Sequence, residues 1–215
     1  MKTEGTDVTD TSVTTDATDT TDTLVPSNRR HLAVSFDPGM SNFGAAGISI
    51  CCQTGKITLE FHKTYDIRGE RGEPDPHKLS EALESVIAMA NLTVENCPLI
   101  EYPTLWVIEY QPPLATLANP SLVRHLAFIE GFVISWLKMW GATWTKVSPS
   151  AVKKYFKFPK AKSQYRSNKE HAMKMARHLV GTSLNDHISD CVLNAVYGLR
   201  GFMEEEEAQA APQSS

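Results

Sequence analysis

The nine residues HLAVSFDPG, at positions 31–39, decide how the rest of this sequence is interpreted. A short, mostly apolar run ends at Asp37, and Pro38-Gly39 follow it. That composition predicts a buried strand that stops in a turn. Asp37 would then stand at the end of a strand, where a sheet can hold its carboxylate in a fixed place. The structural alternative is an ordinary turn, because Asp and Gly are common turn residues.

Two more strands are predicted directly after this one. Residues 44–52 and 56–65 are strand-like and flank Gln53-Thr54-Gly55, which is a hairpin signal. Residues 77–92 then carry apolar side chains at helical spacing. The short, mostly apolar run 105–110 is a fourth strand, which we expect in the centre of the sheet.

The second half of the chain contains mostly helix signals. Asn119-Pro120 predicts a helix start, because Asn is a good N-cap and Pro suits the first helical position. The predicted helices are 120–140, 149–156, 168–180 and 187–202, with a fifth strand at 142–147 and a basic loop at 157–167. The whole pattern predicts an α/β domain with a hairpin at one side of its sheet and helices on the sheet faces.

Both ends of the chain differ in composition from the middle. Residues 1–29 are rich in Thr and Asp, and residues 203–215 include the run Glu204–Glu207. Such segments have too few large apolar side chains to offset the entropy lost on folding. We therefore expect two disordered acidic tails around one folded domain at 30–202.

The distribution of charge matters more than the net charge of −4. Without residues 1–30 and the C-terminal Glu run, 15 acids and 18 bases remain, so the folded part is net positive. Eleven Lys or Arg residues and one acid, Glu170, lie between Lys138 and Arg177. This concentration is typical of a surface that binds a polyanion, although a solvated helix face would look similar.

Other compositional features exclude several classes of protein. No run of 18 or more apolar residues occurs, and the N-terminus lacks the basic start and apolar stretch of a secretory signal. We therefore expect an intracellular protein that is not secreted and has no membrane partner. The four cysteines have neither zinc-site nor disulfide-framework spacing, so we expect reduced, buried thiols.

Four side chains that carry chemistry fall at the ends of predicted elements. Asp37 and Glu109 lie at or near the ends of strands, and His187 and Asp190 lie one helical turn apart near the start of the last helix. If the first and fourth strands are neighbours, the two acids converge and the helix can complete a cluster. Crowded carboxylates repel and are tolerable chiefly around cations, so the cluster predicts two-metal phosphodiester hydrolysis with Mg²⁺ or Mn²⁺.

Each of these signals has a structural alternative when it is taken alone. Glu109 in an apolar strand is unusual, because buried carboxylates are rare unless paired. His187 and Asp190 could simply stabilise the N-terminus of a helix. The order of all four along the chain is more specific than any one of them.

Four short motifs, in this order, resemble the RuvC-like branch of the ribonuclease H superfamily. Within that branch they resemble the poxvirus-type and fungal mitochondrial Holliday junction resolvases more than the bacterial ones. The matching pieces are Phe36–Gly39 with Asn42, Ile108–Gln111, Val147–Lys154 and His187–Ala195. The resemblance implies a ribonuclease H-like fold, with a five-stranded mixed sheet made of an antiparallel hairpin and parallel strands and flanked by helices.

The resemblance also implies a catalytic, metal-binding set that holds two Mg²⁺ or Mn²⁺ ions. Carried over residue by residue, this set is Asp37, Glu109, His187 and Asp190. A histidine stands here where many relatives have an aspartate, although some members share it. Asp186 beside it is the alternative ligand, and the three-residue step to Asp190 favours His187.

By the same resemblance, the expected substrate is a four-way junction or other branched DNA, cut by paired symmetric nicks from a homodimer. Cellular sites consistent with this are the nucleus, the cytoplasm or a site of viral DNA replication. The apolar helix 120–140 is the candidate dimer surface, although both of its faces could be buried in one subunit. The loop after Glu109 could insert an apolar wedge at the crossover. The residues expected to contact DNA phosphates are Lys153, Lys154, Lys157, Lys160, Lys162, Arg166 and Lys169.

Three other functions fit parts of the pattern. A related nuclease could act on an RNA–DNA hybrid with the same metal cluster. A branched-DNA-binding module with an incomplete metal site would fit the histidine. An actin-like or sugar-kinase fold would use Asp37 and Asn42 in a phosphate loop, but such folds need two domains and this chain has room for one.

Overall fold

The computed structural model of the chain describes residues 29–39, 42–110, 119–159 and 165–210. The strands are β1 (Arg30–Pro38), β2 (Asn42–Cys51), β3 (Ile57–Asp66), β4 (Ile100–Glu109) and β5 (Trp144–Val147). The helices are α1 (Pro76–Asn96), α2 (Pro120–Met139), α3 (Pro149–Tyr155), α4 (Tyr165–Val180) and α5 (Asp186–Ala210). Among the described residues, no helix combines the length and the apolar character needed to cross a bilayer.

The five strands form one mixed sheet in the order β3-β2-β1-β4-β5. β2 pairs antiparallel with both β1 and β3, whereas β4 is parallel to β1 and β5. The predicted fold class is therefore confirmed, and β4 is an interior strand between β1 and β5, although the central strand is β1. Because β1 and β4 are parallel neighbours, their last residues lie at the same end of the sheet.

Side chains that alternate along the strands separate the core into two layers. On one face, Val34 and Phe36 of β1 and Ile108 of β4 pack with the buried residues of α1 and α2. On the other face, Ala33 and Val107 pack with α3, α4 and α5. Asp37 lies four residues after Ala33, and Glu109 lies two residues after Val107. Because the spacing is even, both acids face the same side of the sheet as this second set.

Two glycines let α5 lie very close to the sheet. A Cβ atom at Gly198 of α5 would lie 2.8 Å from Val107 Cγ2. A Cβ atom at Gly44 of β2 would lie 3.3 Å from Cys191 Sγ and 3.4 Å from His187 Cβ. The close approach brings the functional face of α5 directly over the ends of β1 and β4.

The main differences from the sequence predictions concern where helices begin and end. α4 begins at Tyr165, so the predicted basic loop 157–167 is shorter than expected. α5 continues to Ala210, so residues 203–210 are helical and the prediction of a disordered tail from 203 is wrong for them. Glu, Ala and Gln are good helix formers, and Glu206 Oε2 lies 3.5 Å from His31 Nε2 on β1. Residues 1–28 and 211–215 of the predicted tails lie outside the described residues.

The cysteine prediction is correct in part. All four thiols are free, and Cys51 and Cys191 are buried. Cys52 is exposed and Cys97 is half-buried, because they lie at the turn after β2 and at the end of α1.

Candidate functional site

Asp37 and Glu109 lie side by side at one end of the sheet. The β1–β4 register pairs Phe36 with Ile108, so the next residue of each strand is an acid. Asp37 also pairs with Gly44 of β2, whose missing side chain leaves room for α5 above it. The parallel pairing of β1 with β4 thus places two carboxylates on the face that α5 covers.

α5 brings His187 and Asp190 to the same place. His187 Nδ1 lies 2.7 Å from Asp37 Oδ2, in a contact that joins residues 150 positions apart. This hydrogen bond is the main reason why the pKa of His187 is raised. Asp190, one turn further along α5, interacts electrostatically with Asp37. The structure therefore places all four predicted side chains near one another at this end of the sheet, with one direct contact, between His187 and Asp37.

Two carboxyl groups of this cluster, those of Glu109 and Asp190, resist ionisation. Burial raises the pKa of Glu109 to about 7, and the nearby charges of Asp37 and Asp190 add to the effect. Burial likewise raises the pKa of Asp190 to about 7, again with Asp37 as the second cause. Burial and the same acids also raise the pKa of the Cys191 thiol. Partly buried acids that repel one another in this way form a site that favours a cation.

The choice between Asp186 and His187 is clarified by their different partners. Asp186 forms an ion pair with Lys169 of α4, and the hydrogen bond from Lys169 lowers the pKa of Asp186. His187 instead contacts Asp37. Asp186 therefore connects α5 to α4, while His187 contacts an acid of the cluster.

Comparisons with solved structures show which fold this chain shares. Thermus thermophilus RuvC in complex with a Holliday junction substrate superposes with a TM-score of 0.58 at 15% identity, covering 80% of this chain and 96% of that chain. A second Thermus thermophilus RuvC structure gives 0.57 at 16% identity, covering 79% and 96%. The chain has the RuvC fold. Fowlpox virus resolvase with its junction DNA gives a TM-score of 0.49 at 14% identity, covering 80% and 99%. The sequence itself matches no family model and no curated protein.

Within this RuvC fold, the donor set fits a hard divalent ion. Three carboxylates and one imidazole meet where burial and mutual repulsion oppose negative charge, and oxygen ligands suit Mg²⁺ or Mn²⁺. In the ranges that the structure describes, no three His, Cys, Asp or Glu side chains already stand in an arrangement that could hold an ion. The bond between His187 and Asp37 occupies one oxygen and one nitrogen of the set.

Of the predicted DNA-contacting residues that the structure describes, two interact with the acidic cluster or its edge, and the other three are simply exposed. Lys153 of α3 is exposed, and its charge partly offsets the raised pKa values of both Glu109 and Asp190, so it is near enough to act on them electrostatically. Lys169 is held by Asp186 at the edge of the cluster. The residues further out are exposed: Lys154, Lys157 and Arg166. Lys160 and Lys162 lie outside the described residues.

Lys157 has an unusual backbone conformation. Its φ is +54°, which makes it the one non-glycine residue with positive φ among the residues described. It follows α3 and donates its N–H to the Lys154 carbonyl, while Phe158 donates to that of Lys153. Glycine is the usual residue in such a helix-ending position, so a lysine adopts this backbone conformation at an energetic cost.

α2, the helix predicted as a candidate dimer surface, is buried on one face only. Ile129, Val133 and Trp136 of α2 pack into the core, whereas Phe128 and Trp140 are 41% and 63% exposed. The alternative that both faces of this helix are buried in one subunit is therefore wrong, and the dimer surface stays a prediction. Of the predicted wedge, Tyr110 is exposed, and residues 111–118 lie outside the described part of the chain.

The sequence analysis missed one residue of the site, Asn194. It lies on α5, one turn beyond Asp190, and is 2% exposed. Its Nδ2 donates a hydrogen bond of 3.1 Å to Glu109 Oε2. Helical spacing was the available signal, because 187, 190 and 194 lie on one face of a helix.

Proposed function

We propose that this chain is a divalent-metal-dependent endonuclease that resolves four-way DNA junctions. The observation that carries the proposal is the clustering of Asp37, Glu109, His187 and Asp190 at one end of the sheet, within electrostatic reach of one another and of Lys153. An acidic cluster alone would repel DNA. A cation held by the acids, flanked by lysines, would instead attract a phosphodiester.

The roles of the residues follow from their positions. Asp37, Glu109, Asp190 and His187 would hold two Mg²⁺ or Mn²⁺ ions, which activate water and stabilise the leaving oxygen when they are bound. When His187 donates its Nδ1 proton to Asp37, its one basic nitrogen is Nε2, which can then either bind an ion or accept a proton from the attacking water, but not both at once. Lys153 would bind the phosphate next to the one that is cut.

The outer basic residues would hold the junction arms. Lys154, Lys157 and Arg166 are exposed and follow Lys153 in the sequence, and they would contact phosphates without reading bases. We extend this proposal to Lys160, Lys162 and Lys169, with Lys169 acting while it is also paired to Asp186. Such contacts make binding depend strongly on salt.

Paired nicks require two such sites, and we propose that a homodimer supplies them. Phe128 on α2 and Trp140 at its C-cap offer aromatic surface that a single subunit leaves in water. Aromatic residues are enriched in the cores of protein interfaces. Replacing Trp140 with Lys should therefore shift the molecular mass measured by light scattering from dimer to monomer.

The test is cleavage of a labelled four-way junction by the full chain with Mg²⁺ or Mn²⁺. We expect symmetric nicks that Asp37→Asn abolishes. Glu95→Gln, at an exposed acid near the end of α1, is the matched control and should cleave like the unchanged protein. Cleavage of unbranched duplex at the same rate would exclude junction selectivity, and preferred cleavage of an RNA–DNA hybrid would replace the proposed substrate.

One observation favours a second function, a branched-DNA-binding module without turnover. No group of three potential ligands among the described residues is already arranged for an ion, and a hydrogen bond to His187 takes up one carboxylate oxygen of Asp37. That function predicts junction binding with no cleavage in either metal. Asp37→Asn would then leave the affinity for the junction unchanged.

A further inference from the structure

Asn194 holds a position from which it can control how Glu109 presents its carboxylate. Its side chain is 2% exposed and lies on α5 one turn after Asp190. Its Nδ2 lies 3.1 Å from Glu109 Oε2 on β4. A buried amide needs hydrogen-bond partners, so this contact connects α5 directly to the end of β4.

The chemistry of the two groups fixes the direction of the bond. An ionised carboxylate only accepts hydrogen bonds, so the amide must turn its NH₂ group toward Glu109. The bond occupies Oε2 and leaves Oε1 without that partner. The other acids that influence Glu109 are Asp37 and Asp190, which cannot donate when they are ionised.

The neutrality of the donor is equally important. A lysine or arginine in this place would neutralise Glu109 and compete with a metal ion for it. An amide fixes the carboxylate and leaves its full negative charge. Partners of this kind, which hold a ligand without binding the ion, typically change metal affinity by about 10- to 100-fold when they are removed.

From these observations we infer that Asn194 is a positioning residue, which orients Glu109 for a divalent ion through the hydrogen bond from its amide. The inference rests on the proposed metal-dependent function. It assigns Asn194 no contact with the DNA or with the ion itself. Its loss should therefore weaken metal binding and leave the affinity for the junction in chelator unchanged.

The experiment measures Mn²⁺ binding to the full chain by calorimetry, without DNA, for Asn194→Ala and Asn194→Leu. These variants share the loss of the donor but differ in how well they fill the space. The control is Ser189→Ala, on the same helix and fully buried, whose hydroxyl bonds only to the Asn185 carbonyl. Circular dichroism and thermal melting show whether each variant is folded.

We expect the dissociation constant for Mn²⁺ to rise about tenfold or more in both Asn194 variants and to stay unchanged in Ser189→Ala. Unchanged affinity in folded Asn194 variants, with cleavage by the parent protein intact, would overturn the inference and leave the proposed function standing. A parent protein that neither binds Mn²⁺ nor cleaves DNA would overturn both.

A measurement on the unaltered protein avoids any folding defect of the variants. The side-chain amide signals of Asn194 should shift in a ¹⁵N correlation spectrum when Mg²⁺ is added, because the carboxylate that they contact becomes polarised by the ion. Signals that stay fixed while metal saturates the site would overturn the inference.

Discussion

Removing one carboxylate from the cluster should stabilise the metal-free protein, and the gain should depend on pH. The variant is Glu109→Gln, which keeps an oxygen that can accept the Asn194 hydrogen bond. The pKa of Glu109 rises from 4.5 in a free chain to about 7 in the fold. Each pKa unit corresponds to about 1.4 kcal/mol, so ionised Glu109 costs the fold about 3 kcal/mol.

The sign of the pH dependence follows from the raised pKa. Below pH of about 4.5, Glu109 is protonated in both the folded and the unfolded chain, and the fold carries no penalty. As the pH rises toward 7, the unfolded chain releases the proton and the folded chain retains it. The free energy of unfolding of the parent protein should therefore fall with rising pH, while Glu109→Gln loses less.

Urea unfolding in chelator at about pH 5 and about pH 8 measures this effect. We expect the stability of Glu109→Gln relative to the parent to increase by about 2 to 3 kcal/mol between the two values. Adding Mn²⁺ should restore stability to the parent more than to the variant, because only the parent has the full ligand set. A difference between the two proteins that is the same at both pH values would refute the reasoning.

Three further perturbations test other parts of the structure. Lys157→Gly should raise the free energy of unfolding by about 1 kcal/mol, because glycine relieves the positive φ, and should weaken junction binding in a filter assay; weaker binding without the gain in stability would contradict it. Lys153→Ala should reduce the slope of log affinity against log salt by about 1, whereas Lys56→Ala in the β2–β3 turn should not. Gly198→Ala should lower the free energy of unfolding by about 1 to 3 kcal/mol, because its Cβ would meet Val107 at 2.8 Å; an unchanged thermal midpoint would mean that α5 does not approach β4 so closely.

Sequence reasoning found those parts of the site that local patterns determine. The apolar run before Asp37 and the one around Glu109 predict strands, and the spacing of His187 and Asp190 predicts a shared helix face. Asn194 and the Lys169–Asp186 pair were missed, because they depend on how closely α5 and α4 pack. The end of α5 was misplaced because an acidic run resembles a tail until its contact with His31 is known.

The most direct test of the account is a crystal structure of the full chain soaked in Mn²⁺, with the ions located by their anomalous scattering. The account predicts manganese within about 2.0 to 2.3 Å of carboxylate oxygens of Asp37, Glu109 and Asp190, with an imidazole nitrogen of His187 in the same shell. Manganese bound elsewhere, with the His187–Asp37 hydrogen bond intact and these carboxylates without metal, would contradict it.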